Sequence, residues 1–322
     1  MKNYKHPIHR YILCFSLLLL LSFILSACVA VTTPPAGLPV DAPEEQPFTF
    51  LFLSDTQADP QTGDYSGLAD LLVQALSHES KPTLLLLGGD TVNDGADAKE
   101  WQAFWQAAKP SLDGVSVAAA AGNHDNQALL AEQFTWPDNA PAGPRQGFFY
   151  SFDMQGVHFI VLDSNIMGAA NAEDIAWLEA DLSSEAAQQA TWRIAVCHHP
   201  FWPVAAIPKD AARAQTMREH FLPLLEEYGV DLLLVGHQHL YARTLPMHGD
   251  EPSASGLVQV MAASGGKDSY TPNEQPYLAK IADAPNYVLF TVSASKLTLF
   301  AYDEAGQIID SYTLTKAGVA EK

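Results

Sequence analysis

Residues 82–90 read PTLLLLGGD, an unbroken aliphatic run that stops at two glycines and an aspartate. The same pattern occurs upstream, where residues 48–55 read FTFLFLSD, and downstream, where residues 115–125 read VSVAAAAGNHD. Between these runs, apolar residues recur at helical spacing around residues 68–76 and 101–108. Apolar strands that alternate with helices are buried on both faces, so the pattern predicts a largely parallel sheet.

The second half of the chain predicts a hairpin, two more helices and then strands alone. Its predicted elements are hairpin strands at 148–152 and 157–162, a helix around 175–182, a strand at 192–197, a helix broken at Pro223, and strands at 230–235, 258–262, 287–292, 297–302 and 308–314. No Pro/Gly-rich linker separates the α/β part from the all-β part. One α/β domain with two stacked sheets, over residues 48–316, therefore fits better than two domains.

The composition is that of a folded, acidic protein. The chain has 322 residues, a formal net charge of −20, 48% hydrophobic residues and 17% charged residues. This composition can form a sizeable core and excludes a disordered or collagenous protein. The acidity argues against a nucleic-acid polymer as the main partner, because such binding usually needs a basic surface. Three scattered cysteines are too few for a disulfide framework or a thiolate zinc site.

The first 28 residues have the pattern of an exported lipoprotein. Three basic residues precede an apolar run at 11–25, which is short for a membrane span, and the run ends in Leu25-Ser26-Ala27-Cys28. This ending resembles the bacterial lipobox, which implies a signal peptide over residues 1–27 and a lipid anchor on Cys28. The alternatives are an ordinary signal peptide with a chance cysteine and an uncleaved anchor. We therefore expect an extracytoplasmic protein that is lipid-anchored to a bacterial membrane.

Cleavage before Cys28 would change both the charge and the cysteine content. Three basic residues and no acidic residue would be lost, so the net charge would become −23. Residues 28–47 are rich in Pro, Thr and Ala and predict a disordered tether, and residues 317–322 predict a short tail. Cys14 would be lost with the signal peptide and Cys28 would carry the lipid, so Cys197 would have no partner. We therefore expect no disulfide bond.

Polar residues of metal-binding types follow several of the predicted buried strands. They are Asp55 and Gln57, Asp90, Asn123 and His124, His198 and His199, and His237 and His239. In open α/β sheets, ligands bind at the carboxyl ends of the strands. Carboxylate, amide and imidazole groups suit divalent ions such as Mn, Fe or Zn. The sequence therefore predicts that these groups converge on a metal site.

Five short motifs carry this pattern in a fixed order, each after a predicted strand. They are Asp55-Thr56-Gln57, Gly89-Asp90, Gly122-Asn123-His124-Asp125, His198-His199-Pro200 and Gly236-His237-Gln238-His239. Together they resemble the calcineurin-like metallophosphoesterases, over about residues 48–302. The resemblance implies a four-layer α/β/β/α sandwich of two mixed sheets, with two adjacent divalent transition metal ions. It also implies the ligands: Asp90 as the bridge, Asp55 and His239 on one ion, and Asn123, His198 and His237 on the other.

The resemblance further implies the reaction. The two ions would lower the pKa of a shared water, and the resulting hydroxide would hydrolyse a phosphate ester or phosphoanhydride in a small phosphorylated substrate. His124 holds the position from which the family protonates the leaving oxygen, with Asp125 as its expected orienting partner. The alternative is a non-catalytic surface lipoprotein that keeps the fold as a binding module.

Two positions depart from the family pattern. Gln57 stands where the commonest first motif has a histidine ligand, and it would either bind the first ion weakly through its carbonyl oxygen or only line the site. The stretch 236–243 also resembles the purple acid phosphatases, whose metal-bound tyrosine lies three residues after the bridging aspartate. Here that residue is Asn93, so no tyrosinate-to-iron colour is expected.

Four further residues are candidates for substrate contact. His199 would contact the metal ligands, the substrate or the core, and Arg145 lies in a Gly/Pro-rich loop from which it could reach a substrate. Tyr241 and Arg243 would bind a phosphate oxygen or form a structural pair beneath the turn. Cys197 alternates with His198 along its strand and is expected in the core.

Overall fold

The structure is a computed structural model, which describes residues 47–59, 61–125, 127–137, 139, 148–166 and 171–316. The predicted signal peptide, the lipidation site at Cys28, the tether up to residue 46, Arg145 and the tail at 317–322 lie outside the described residues. Among the described residues, none of the helices combines the length and the hydropathy that spanning a membrane requires.

The secondary structure alternates between strands and helices first and consists of strands alone after residue 240. The strands are β1 Phe48–Leu53, β2 Leu84–Leu87, β3 Ser116–Ala119, β4 Tyr150–Met154, β5 Val157–Val161, β6 Trp192–Val196, β7 Leu232–Val235, β8 Tyr241–Thr244, β9 Met247–His248, β10 Glu251–Pro252, β11 Val258–Met261, β12 Leu278–Ala282, β13 Asn286–Val292, β14 Lys296–Asp303 and β15 Ile308–Thr315. The helices are α1 Ser66–Leu76, α2 Ala98–Ala108, α3 Gln127–Gln133, α4 Ala172–Leu182, α5 Glu185–Gln189, α6 Pro208–His220 and α7 Leu222–Glu227.

Most of the strands form two mixed sheets. The first has the order β15-β14-β13-β1-β2-β3, in which β1, β2 and β3 are parallel to one another. The second has the order β12-β8-β11-β7-β6-β5-β4, in which β11, β7, β6 and β5 are parallel. The predicted α/β fold of two mixed sheets flanked by helices is confirmed. Parallel pairing is confined to those seven strands, because antiparallel neighbours complete both sheets.

Side chains along β1 alternate between two hydrophobic layers. Phe50 stacks on Phe290 of the neighbouring strand, with ring centroids 4.5 Å apart, and meets Phe159 of the second sheet edge-on at 5.3 Å. Leu51 and Leu53 belong instead to the cluster that contains the buried faces of α1 and α2. Full burial of one phenylalanine or leucine side chain contributes roughly 1.5–3 kcal/mol, so both layers depend on this strand.

The element boundaries match the sequence where a backbone signal marks them. The predicted helix break lies between α6, which ends at His220, and α7, which has Pro223 in its first turn. Proline is tolerated there because a first-turn amide has no helical hydrogen-bond partner. Two strands of the second sheet, β8 and β12, were not predicted. The side chains of β12 are exposed or only partly buried and lack the alternation that indicates a strand.

His158 on β5 is buried between two carboxylates. Its Nδ1 is 2.8 Å from Asp153 Oδ1, and its Nε2 is 3.0 Å from Asp181 Oδ2. Burial alone would lower the pKa of His158, but the hydrogen bonds and charges of Asp181 and Asp153 outweigh it and raise that pKa above its ordinary value. Because both ring nitrogens face acceptors, the imidazolium is the form that makes both bonds.

We expect His158→Gln to destabilise the protein by about 1.5–3 kcal/mol below about pH 6, the contribution of hydrogen bonds to charged groups, and by less at higher pH. The folded protein binds this proton more tightly than the unfolded chain, so the stabilisation is complete below the ordinary pKa and is lost as the pH rises through the folded pKa. Urea unfolding across this pH range measures the difference, with His248→Gln at an exposed histidine as the control. A difference that stays constant with pH would contradict the charged form.

Candidate metal centre

The predicted metal ligands of both sheets meet at one edge of the fold. Asp55 and Asp90 follow β1 and β2 of the first sheet, whereas His198 and His237 follow β6 and β7 of the second. The carboxyl ends of parallel strands lie at the same edge of a sheet, and the two stacked sheets bring their edges together. One ligand atom each from Asp55, Asp90 and His198 lie within 4.8 Å of one another.

The distances within this group are those of ligands around a common point. His198 Nε2 is 3.3 Å from Asp90 Oδ2 and 3.9 Å from Asp55 Oδ1. His239 Nε2 is 3.4 Å from the same Oδ1 of Asp55. A second group, formed by His198, His199 and His237, also has its ligand atoms within 4.8 Å of one another. The two groups share His198 and are therefore adjacent.

The outer nitrogen of each predicted histidine ligand is fixed by an oxygen acceptor. His198 Nδ1 donates to Gly88 O at 2.9 Å, and His239 Nδ1 donates to Asp268 O at 2.8 Å. A backbone carbonyl only accepts, so Nδ1 of both rings carries a proton, and Nε2 is the nitrogen that faces the carboxylates and is available to a metal. His237 uses the opposite nitrogen. Such outer contacts are what orients imidazole rings toward metals in proteins.

Several polar atoms of the candidate site residues are buried without a hydrogen-bond partner among the described residues. They are Asp55 Oδ1, His198 Nε2, His199 Nε2 and both amide atoms of Gln57. An unpaired buried polar group costs about 1–3 kcal/mol, so five such atoms among the candidate residues indicate a further binding partner. Oxygen and imidazole nitrogen atoms together fit divalent transition metal ions.

The backbone is strained at the ligand positions. Four of the five non-glycine residues with positive φ in the described part of the chain are predicted ligands: Asp55 at 51°, Asp90 at 51°, His237 at 76° and His239 at 52°. This region of φ is uncommon for residues with a side chain and costs on the order of 1–3 kcal/mol for each residue. Such strain clusters at functional sites, where the surrounding fold holds it in place.

Two glycines allow the ligand loops to approach closely. A Cβ at Gly122 would lie 2.1 Å from Asp90 Oδ1, and one at Gly236 would lie 2.2 Å from Asp55 Oδ2. Real Cβ atoms do not come that close to another heavy atom, so any larger residue would displace the carboxylates. Both glycines precede predicted ligands, which explains their place in the motifs.

The buried carboxylates and histidines shift each other's pKa. Burial alone would lower the pKa of His198, but the charges of Asp90 and Asp55 outweigh it and raise that pKa to about 9. The charge of His198 in turn holds the pKa of Asp90 below its usual range, against the effect of burial. Burial lowers the pKa of His237. The pocket thus favours a positive charge at the carboxylates, which a cation can supply in place of a proton.

His124 lies at the rim of this site, with a side chain that is 38% exposed. Its Nδ1 is 2.6 Å from the carbonyl oxygen of Asn93, so Nδ1 carries the proton, and its Nε2 lies 4.0 Å from Asp90 Oδ2. These distances correct the prediction that Asp125 orients the ring of His124. The carboxylate of Asp125 instead accepts hydrogen bonds from the backbone amides of Asp90, Thr91 and Gly122. These bonds hold the Asp90 loop in place. Burial, and then the charge of Asp90, raise the pKa of Asp125 to about 7.

The remaining candidate ligands differ in burial and in hydrogen-bond partners. Gln57 is buried, with its amide atoms unpaired as described above, whereas Asn123 is exposed in the loop after β3. His199 is buried beside His237, with ring centroids 4.2 Å apart, and its Nδ1 is 2.9 Å from Ser164 Oγ. Cys197 belongs to the hydrophobic core.

Tyr241 and Arg243 make their hydrogen bonds with Asp310. Tyr241 donates to Asp310 Oδ2 at 2.7 Å, and Arg243 Nε donates to the same oxygen at 2.7 Å. Arg243 also lies over the ring of Tyr312, 4.3 Å from its centroid. These contacts link β8 of the second sheet to β15 of the first. Asn93, at the position of the purple acid phosphatase tyrosine, directs its side-chain amide to Ala58 O.

The sequence analysis missed Asp210, which holds a predicted ligand in place. Asp210 lies in the first turn of α6 and is 4% exposed. Its Oδ1 is 3.0 Å from Nε2 of His237, and its Oδ2 accepts from Nε2 of Gln238 at 2.8 Å. The carboxylate therefore leaves Nδ1 of His237 for a metal. No motif contains Asp210, so only the packing of α6 against the Gly236 turn reveals it.

We expect Asp210→Asn to weaken metal binding by about 10–100-fold, the effect typical of a group that orients a ligand. The amide removes the negative charge beside His237 and can present an N–H where the ring needs an acceptor. Competition with a chromophoric chelator for Mn²⁺ or Zn²⁺ measures the affinity, and circular dichroism checks the fold. Asp113→Asn, at an exposed aspartate in another part of the surface, is the matched control. Unchanged affinity in Asp210→Asn would show that the contact has no part in metal binding.

Residues 48–241 match the family model described as calcineurin-like phosphoesterase. This range extends from β1 to the first residue of β8 and contains all five motifs. The chain therefore belongs to the calcineurin-like phosphoesterase family.

Individual relatives include purple acid phosphatases. The chain is 26% identical over 242 residues to purple acid phosphatase 18 of Arabidopsis thaliana, covering 73% of this chain and 51% of that protein. The chain thus spans about half the length of this relative. Among solved structures, it is similar to the purple acid phosphatase PPD1 of yellow lupin (Lupinus luteus), with a TM-score of 0.70, 19% identity, and coverage of 84% of this chain and 54% of that one. It also resembles GAP50, described as the anchor in the inner membrane complex of Plasmodium, with a TM-score of 0.64, 14% identity, and coverage of 84% and 89%.

Proposed function

We propose that this protein hydrolyses phosphate esters or phosphoanhydrides at a centre of two divalent transition metal ions, such as Mn, Fe or Zn. The observation that carries the proposal is the set of buried candidate-ligand atoms that have no hydrogen-bond partner among the described residues, while the outer nitrogens of the histidine rings are held by acceptors. The phosphoesterase family and the purple acid phosphatase relatives support the class of reaction.

The ligands divide between two adjacent positions. Asp90 would contact both ions, Asp55 and His239 would hold the first, and His198 and His237 would hold the second. Asn123 would complete the second set. Gln57 is the remaining candidate for the first ion, and its unpaired, buried carbonyl oxygen supports ligation over a role in lining the pocket.

The protein groups around the centre position the substrate and move one proton. When bound, the cations supply positive charge to phosphate oxygens and acidify a water molecule. His124 is the proposed proton donor for the leaving oxygen, because the Asn93 carbonyl fixes the proton of Nδ1 and leaves Nε2 for proton transfer. Asp125 keeps the Asp90 loop in place through three amide hydrogen bonds.

An assay with metal removal tests the proposal. The purified protein, loaded with Mn²⁺, Zn²⁺ or Fe²⁺, should hydrolyse p-nitrophenyl phosphate, its bis-ester or a nucleoside diphosphate. A chelator should abolish turnover, and added metal should restore it. The fold alone does not decide the outcome, since a protein of this fold, GAP50, is described as an anchor. Stoichiometric metal binding without turnover on a broad panel of phosphate compounds would favour the non-catalytic binding module instead.

We also propose that Cys28 anchors the mature protein to a bacterial membrane from the extracytoplasmic side. The support is the sequence Leu25-Ser26-Ala27-Cys28 after the apolar run. Metabolic labelling with a palmitate analogue should mark the wild type and not Cys28→Ser, and the variant should leave the membrane fraction or remain unprocessed. Labelling of Cys28→Ser equal to the wild type would refute the anchor.

A further inference from the structure

A lysine stands beside the proposed proton donor in a strongly acidic chain. The Nζ of Lys267 is 3.3 Å from Nε2 of His124. An ammonium group can only donate, so Lys267 donates to Nε2 in the neutral form of His124. When Nε2 carries the proton that the leaving oxygen needs, all three N–H bonds of Lys267 are available to an anionic ligand. Lys267 follows β11, and none of the five motifs includes it.

The loop that carries Lys267 is tied to the metal centre. Gly266 N donates to the carbonyl oxygen of Gln57 at 3.2 Å. On the other side of the lysine, Asp268 O accepts from the ring of His239 at 2.8 Å. Both neighbours of Lys267 therefore contact residues of the site, so its backbone position is set by the same structure that sets the ligands.

Lys267 and His124 line a cavity of about 440 Å³, which is large enough for a small ligand. Its wall also contains apolar side chains and a second lysine, namely Ala58, Tyr65, Ala103 and Lys99. The two acids in the wall, Asp59 and Glu100, accept hydrogen bonds from backbone amides of nearby loops. The cavity thus offers two ammonium groups and an apolar surface to a bound molecule, beside two carboxylates that each have one oxygen engaged by backbone amides.

The leaving group must occupy the space beside His124 if this residue protonates the leaving oxygen, so the argument rests on the proposed function. We infer that Lys267 binds negative charge on the leaving group, and that the preferred substrates are phosphoanhydrides whose leaving group is itself a phosphate. A phosphate oxygen forms a charge-assisted hydrogen bond with the ammonium. A neutral alcohol would form no charge-assisted hydrogen bond with this lysine.

Hydrolysis of such a substrate consumes one water molecule. The water oxygen bonds to the terminal phosphorus, and the bond from that phosphorus to the bridging oxygen breaks, with the electron pair left on the bridging oxygen. That oxygen now belongs to the leaving phosphate and takes a proton from His124 while Lys267 neutralises its charge. One proton of the water stays on the released phosphate, and the other returns to His124.

Kinetics with two substrates test the role of Lys267. The leaving group of ADP is AMP, whose phosphate is charged before the bond breaks, whereas the leaving group of p-nitrophenyl phosphate contains no phosphate. We expect Lys267→Gln to lower kcat/KM for ADP by about 10–100-fold, the equivalent of one charge-assisted hydrogen bond, and for p-nitrophenyl phosphate by less than about threefold. Lys267→Arg should retain most of the activity on ADP. Lys81→Gln, at an exposed lysine, is the control.

A binding experiment separates this inference from the proposed function. Methylenediphosphonate and methylphosphonate, which the protein cannot hydrolyse, are titrated by calorimetry into metal-loaded wild type and Lys267→Gln. The variant should lose affinity for methylenediphosphonate by about tenfold or more and keep that for methylphosphonate. An equal loss for both, no loss, or no binding to the wild type would overturn the inference. The expected selective loss without hydrolysis of any phosphate compound would overturn only the proposed function.

Discussion

Asp90→Asn is expected to lower turnover of bis-p-nitrophenyl phosphate by about a thousandfold or more and to remove bound metal at the same time. Asp90 is 1% exposed, its Oδ1 accepts from the backbone N–H of His124 at 2.8 Å, and its Oδ2 is 3.3 Å from His198 Nε2. Asparagine keeps the size of the side chain and one acceptor for the His124 amide. It removes the negative charge that two adjacent cations require, which is worth several kcal/mol of transition-state stabilisation.

The measurement pairs activity with metal content of the gel-filtered protein and with circular dichroism. Asp94→Asn removes the same charge from an exposed position in the same loop and should keep both metal and activity. Activity in Asp90→Asn close to that of the wild type would rule out the bridging role. Full metal content with lost turnover would also contradict the bridging role, because the loss of a bridging carboxylate should reduce metal binding and turnover together.

The strand ends of the site were predictable because each buried run stops at a polar residue. A buried run such as 84–87 can only be a strand or the core of a helix, and the glycines that follow it stop either one. Glycine precedes Asp90 and His237 in this way and places them at the carboxyl edge of a sheet. No glycine precedes Asp55 or His198, so for these two the end of the buried run is the only local signal.

Contacts between segments that are distant in sequence were not predictable in this way. Asp210 reaches His237 only because α6 packs beside the Gly236 turn, and Lys267 reaches His124 only because its loop is bonded to Gln57 and His239. A helix residue or a loop residue of this kind carries no periodic signal. The backbone strain at the ligands is hidden for the same reason, since the surrounding fold imposes it.

The two alternative roles predicted for Tyr241 and Arg243 show the same limit of prediction from sequence. A tyrosine and an arginine after a histidine turn are chemically suited to phosphate, and nothing nearby in the sequence supplies another partner. Asp310 does so from the last strand of the other sheet. The packing of one sheet against the other therefore determines which partner these side chains contact.

His124→Ala is expected to keep bound metal and to slow hydrolysis of alkyl phosphates by about 10²–10⁴-fold, the usual contribution of a general acid. Metal should remain because His124 stands outside the proposed ligand set, with Nε2 4.0 Å from Asp90 Oδ2. An alkoxide is a strong base that needs a proton as it leaves, whereas p-nitrophenolate is stable without one. The loss on p-nitrophenyl phosphate should therefore be less than about tenfold.

A series of substituted phenyl and alkyl phosphates measures this effect as the slope of log kcat/KM against the pKa of the leaving group. The slope should be shallow for the wild type, where the leaving oxygen is protonated as the bond breaks, and steep for His124→Ala, where the full charge develops. Lys267 remains in the variant and can still stabilise part of that charge, so the double variant with Lys267→Gln should be steeper again. A slope that does not change between wild type and His124→Ala would mean that the proton comes from another group. The Asn93 carbonyl would then orient the ring of His124 for a purpose other than catalysis.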